Sequence, residues 1–194
     1  MATFDTILQQ LQTREPLPTL YPTQTWDEAL SRQIAQARDI ELFGVQANEE
    51  QAQMNDACRA GLLLWNDDLE ASHHIAQGIE NATGSFWHAI MHRREGDAAN
   101  SHYWWRRTGA HPAFADVYAE VMGVLQGVLQ NETDDEAREF EATLKRAGTW
   151  VPMEFVARCE MARRSTRSTT DDWLRRIQVA EMAALLGWCR ARMG

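Results

Sequence analysis

Cysteine is scarce in this sequence and poorly placed for cross-linking. Cys58, Cys159 and Cys189 are the only three in 194 residues. An odd number, widely spaced and without a CxxC pair, excludes a disulfide framework and a zinc knuckle and leaves buried thiols as the expectation. No apolar run reaches the roughly 18 residues that a membrane-spanning helix needs. The start MATFDTILQQLQTREP lacks the basic opening and continuous apolar core of a signal peptide. The expected setting is therefore cytoplasmic, with no membrane partner. Positive charge is short as well: 19 Lys and Arg face 28 Asp and Glu, a net charge of −9. That balance argues against nucleic acid, because phosphate binding relies on clustered cations that release counterions. The local basic runs HRRE, WWRRTG and ARRSTR read as solvated faces or helix C-termini, with a grip on an anionic small molecule as the alternative.

Strand signals are missing too. No alternating run of β-branched residues is long enough for a strand, and no repeat of 20 to 50 residues is present, so sheet folds and solenoids are set aside. Helical periodicity fills the sequence, which predicts an all-α fold: one compact, bundle-like domain over residues 1–194, with about eight to ten helices. Helix boundaries are legible in several places. Thr25 with Glu28 makes a capping-box pattern ahead of a helix that Gly44 can end. Pro112 suits a first helical turn, Asp134 and Asp135 open TDDEAREFEATLKRAG, and Thr170 precedes the last long helix. REPLPTLYPTQ is the longest irregular piece. MGVLQGVLQ, though locally self-similar, reads as one amphipathic helix.

The stretch GSFWHAIMHRREGD, Gly84 to Asp97, carries the densest chemistry. Ser85 can cap a helix over Phe86–Glu95 that Gly96 terminates. At about 100° per residue, His92 lies about 40° from His88 and Glu95 about 20° to the other side, so the three share one stripe. Histidines at i and i+4 can hold a metal from the same side; a carboxylate three residues later suits a third ligand or a nearby base, although this is not a recognised zinc signature. The structural alternative is a pair of core histidines hydrogen-bonded to carbonyls or carboxylates. Arg93 and Arg94 can grip a carboxylate or phosphate on two atoms, or form ion pairs with Glu95 or Asp97.

Partners for this stripe are sought in CRAGLLLWNDDLEASHHIAQGIE. Placed on one helix, it gives an apolar face of Leu62, Trp65, Leu69 and Ala76. His73 falls within about 40° of Leu69, while His74 points with Asp67 to the polar side. His73 is thus the inward histidine, with Glu70 one turn before it. On the last helix the stripe Trp173, Ile177, Ala180, Ala184 and Trp188 is interrupted by Glu181. A carboxylate there needs a cationic, hydrogen-bonding or metallic partner, or a raised pKa. Glu160 is a weaker case of the same kind. His102 and His111 can belong to the same neighbourhood, but His111 precedes Pro112 at a helix start, where a structural role is favoured.

The core Trp-His-x-Ile-Met-His-Arg-Arg-Glu-x-Asp, here Trp87 to Asp97, resembles that of an uncharacterised all-helical family of bacterial and fungal proteins. The resemblance extends back through EASHHIAQ and forward through NSHYWWRRTGAHP, with EFVARCE and IQVAE as weaker matching pieces. It implies that Ser72 and His73 belong to the shared set, and it implies no reaction. His74 departs from the pattern and is not carried over.

These residues support a small-molecule enzyme, of hydrolase or isomerase type, in which His73, His88 and His92 converge in a helical cleft beside Glu95 and Glu181. A divalent metal (Zn, Mn, Fe or Ni) on the histidines would activate water or polarise a carbonyl, and metal-free acid–base chemistry is the other route. Glu95 or Glu181 would be the catalytic base, and Arg93, Arg94 and Asp97 would hold substrate. The rival is a non-enzymatic ligand-binding or helical interaction protein, a homo-oligomer being compatible with either, whose polar stripe specifies packing. In that reading the eight tryptophans, Trp104 and Trp105 included, are core. A di-iron carboxylate bundle ranks below both, because Glu70 to His73 supplies only one Glu-x-x-His motif.

Overall fold

The computed structural model describes residues 3–44, 49–131, 134–164 and 168–193 and holds no strand among them. Its eleven helices are α1 (Phe4–Gln12), α2 (Glu28–Gln36), α3 (Asp39–Phe43), α4 (Glu49–Trp65), α5 (Leu69–Ala76), α6 (Ala82–Glu95), α7 (Ala98–Thr108), α8 (Phe114–Asn131), α9 (Asp135–Ala147), α10 (Pro152–Arg164) and α11 (Ser168–Arg190). The fold is all-α, as the periodicity predicts. The helix count exceeds the expected range because two runs that read as continuous are broken. The run toward Gly44 divides at Ala37 and Arg38, whose ψ angles of 133° and 153° are extended. Gly44, left-handed at φ 76°, therefore closes only the short α3.

The second break places a site helix. Cys58 to Glu80 is not one helix: Asn66 to Asp68 turn the chain, with Asp67 at a positive φ of 63°, a conformation that aspartate tolerates better than most residues. The Asp67 carboxylate accepts from Arg14 at 2.7 Å and from Arg94, so the turn is held by two buried guanidiniums. Asp68 then caps α5, accepting from the Ala71 N–H at 3.1 Å.

Two expected helix starts also move. Trp26 N–H donates to Asn66 O, which holds the chain extended past Thr25, and the Asp27 carboxylate is the cap that accepts from Leu30 N–H at 2.9 Å. At α6 the Asn81 side chain accepts from Gly84 N–H at 3.0 Å, while the Ser85 hydroxyl turns back to Asn81 O. α6 therefore starts four residues before Phe86. Gly96 ends it at φ 86°, and Asp134 caps α9, both as read from the sequence.

α6 lies at the centre. Every residue from Thr83 to Arg94 is buried, with α4, α5 and α7 packed around it. A helix buried on all sides must satisfy each of its polar side chains internally. α4 crosses it so closely that a Cβ on Gly61 would sit 2.6 Å from the Trp87 ring. α11 packs on α4, α8 and α10, and one cluster of buried apolar side chains runs from Phe4 to Met193. All three cysteines are buried, as expected. Among the described residues no helix is long and apolar enough to cross a membrane.

Candidate metal centre

Two serines set the walls of the histidine site. Ser72 Oγ donates to Ala60 O at 2.9 Å and fixes α5 to α4, so the next residue, His73, is turned toward α6. Ser101 Oγ donates to Ala89 O at 2.8 Å and fixes α7 to α6. Trp104, one turn later, thereby lies flat on His88, with ring centroids 3.9 Å apart and planes 3° from parallel. His88 and His92 are themselves stacked at 5.3 Å along α6, and His73 meets them edge-on at 4.6 and 5.3 Å.

One donor atom from each of His73, His88 and His92 lies within 4.8 Å of the others. A tetrahedral ion with bonds of about 2.1 Å draws its nitrogen donors to about 3.4 Å apart. The triad is thus assembled to within a side-chain adjustment, and half-buried His73 has the room to make it. His92 Nδ1–H donates to Glu95 Oε2 at 3.0 Å, which fixes the tautomer and leaves Nε2 as the free lone pair. His88 Nδ1 is buried and has no hydrogen-bond partner among the described residues. Burial, reinforced by the neighbouring histidines, lowers the His88 pKa to about 4. Burial chiefly, with His92 and His74 adding and Glu95 opposing, lowers that of His73. Both rings are therefore neutral at pH 7, the form that binds a metal.

Outside the triad, half-buried His73 borders a depression of about 540 Å³ lined by Asp68, Glu70, Ala71, His74 and Gln77. His74 is exposed, as its face predicts. A groove of about 510 Å³ between α8 and α11, lined by Trp65, Gly123, Gly127 and Ala183 among others, includes none of the histidines.

The remaining candidate residues lie elsewhere. Glu181 is wholly buried on α11 with Arg93 Nη1 2.6 Å from its Oε2. The two groups form a buried ion pair. Burial pushes the Glu181 carboxyl up, and Arg93 and the Trp150 indole pull it back. Among the described residues no hydrogen bond or ion pair joins Glu181 to the histidines. Arg93 also lies over Phe155 at 4.5 Å. Arg94, fully buried, donates to Leu64 O, Thr19 O and Asp67. Both arginines expected at substrate are thus engaged in the interior. Asp97 caps α7, accepting from Asn100 N–H at 2.9 Å. Glu95 alone of the two expected bases touches the triad. Glu160 faces Tyr21, Arg163 and Arg164. His111 is structural: Ala113 N–H donates to its Nδ1 at 3.2 Å, and its Nε2 pairs with Thr83 Oγ1 at 3.1 Å.

Trp104 is the contact that sequence reading passes over. Its spacing from Ser101 matches one turn of α7, but only the docking of α7 on α6 shows which indole covers His88. No family model, curated protein or solved structure matches the chain.

Proposed function

We propose that the protein binds one divalent metal through His73, His88 and His92 and uses it to hydrolyse a small molecule. The observation that carries this reading is the convergence of three histidine donors within 4.8 Å, one of them backed by a carboxylate at 3.0 Å. Three histidines with an open fourth position are a catalytic type of zinc site, and the ion would supply a bound water with a pKa lowered to about 7 and a Lewis acid for carbonyls. Glu95 orients His92. The depression beside His73, where Glu70, His74 and Gln77 stand, is the approach for substrate. Arg93, Arg94 and Glu181 form the interior frame that holds α6 in place, and Asp97 anchors the next helix.

Elemental analysis of protein purified without chelator or histidine tag, followed by zinc titration of the stripped protein, tests this. Wild type is expected to carry close to one equivalent of metal. His88→Ala and His92→Ala should each keep the helical circular dichroism and lose more than the roughly 10–100-fold in affinity typical of removing an outer-shell partner. A wild-type protein that takes up no Zn, Mn, Fe or Ni ends the metal reading.

A further inference from the structure

We propose that Trp104 is the positioning residue of the triad: its indole holds the His88 imidazole in the plane from which it joins His73 and His92 on the metal. The inference rests on the metal-binding reading above.

Metal-binding histidines are ordinarily oriented by a hydrogen bond from their second nitrogen to a carboxylate, carbonyl or water. His92 follows that pattern through Glu95. His88 does not, because its Nδ1 is buried and has no partner among the described residues. Without a hydrogen bond, an imidazole keeps a broad torsion about its Cβ–Cγ bond. The flat contact with Trp104, 3.9 Å and 3°, removes that freedom, since any turn of the imidazole drives an edge into the indole face. His92 stacks at 10°, which alone leaves the ring less tightly bounded.

The indole is itself constrained. Ser101 Oγ on Ala89 O fixes the preceding turn of α7 at 2.8 Å. Tyr103 meets Trp104 nearly perpendicular, at 5.3 Å and 85°, and the Arg107 guanidinium lies over its ring at 5.3 Å. The edge-to-face ring and the cation–π contact both favour this placement of the indole. Trp104 is only partly buried, so it borders the core without being one of its fully enclosed members, and replacing it removes the His88 contact without hollowing the interior.

Zinc affinity, measured by competition with a chromophoric chelator, and the visible spectrum of the cobalt form test the assignment in wild type, Trp104→Phe, Trp104→Leu and Trp104→Met. Phenylalanine keeps a flat face and should hold affinity within about threefold. Leucine should weaken zinc binding by ~10–100-fold, the range for outer-shell partners, and alter the cobalt bands while the apo circular dichroism stays as in wild type. Methionine fills the space with a flexible chain, so it serves if leucine fails to fold, with the same expected loss. Wild-type zinc binding, with Trp104→Leu or Trp104→Met binding as tightly and giving the same cobalt spectrum, overturns the role of Trp104 and leaves the triad standing. No zinc binding by wild type overturns both.

Discussion

At the scale of the residue, the interior charges and the triad separate cleanly. Glu181 is legible in the sequence because a carboxylate interrupts an otherwise apolar stripe. Its partner is not, because Arg93 lies 88 positions away, on a helix whose arginines read equally well as substrate grips. Fully buried pairs of this kind add little over apolar residues of the same shape, but breaking one leaves a charge stranded and costs about 3–5 kcal/mol. Glu181→Gln strands Arg93, whose guanidinium lies over the Phe155 ring and pairs with no other anion among the described residues. Urea unfolding should show a loss in that range, whereas the double variant Arg93→Met/Glu181→Leu should lose less than the single one. Zinc affinity of the folded Glu181→Gln protein should match wild type. A fall in affinity without a fall in stability would return Glu181 to the site.

At the scale of the element, α6 shows why helix ends are read unevenly. Gly96 was legible because a glycine after a basic last turn is a common C-terminal signal. Asn81 and the turn at Asn66 to Asp68 were not, because Asn and Asp serve caps and turns alike, and only tertiary bonds, such as Arg14 and Arg94 on Asp67, decide between them. The structure makes two glycines behave oppositely. At Gly96, φ is +86°, and a Cβ would run into Arg163 Nη1, the group that donates to Gly96 O at 2.9 Å. Gly96→Ala should destabilise by about 1–3 kcal/mol through the left-handed backbone and the displaced arginine. Gly123, exposed on α8, has nothing among the described residues within 4 Å of an added Cβ. Gly123→Ala should be neutral or stabilise by up to ~1 kcal/mol, the helix-propensity difference between the two residues. Thermal melts of both variants check the contrast. A Gly96→Ala protein as stable as wild type would show that the α6 terminus does not depend on that conformation.

At the scale of the whole molecule, the all-α class was legible because helical period persists along the chain, while the arrangement that brings α5, α6 and α7 together had no local signature. That arrangement makes stability depend on pH in a defined direction. Burial is the largest cause that holds His88 and His111 at about 4 and His73 below its ordinary value of 6.5; at His111 the Arg192 charge adds to it. The groups facing His111 are Thr83 Oγ1, Ala113 N–H, the Phe86, Phe114 and Trp188 rings, and Arg192. A second ring proton would break the Ala113 bond at the start of α8. Because these pKa values are lower in the folded than in the unfolded chain, the unfolded state binds more protons between pH 6.5 and 4. The stability they supply is full above about pH 6.5 and is lost as pH falls toward 4. His111→Gln should flatten that fall without touching the metal. Zinc at 100 times its dissociation constant should add about 2.7 kcal/mol at pH 7.5. Protons compete with zinc for His88, held at about 4, and for His73, so this increment should shrink as the pH is lowered toward 4, equally in wild type and His111→Gln. Melts of the stripped and zinc-loaded proteins from pH 4 to 8 read both effects. A zinc increment undiminished at pH 4 would mean that the ion is held by groups other than these histidines.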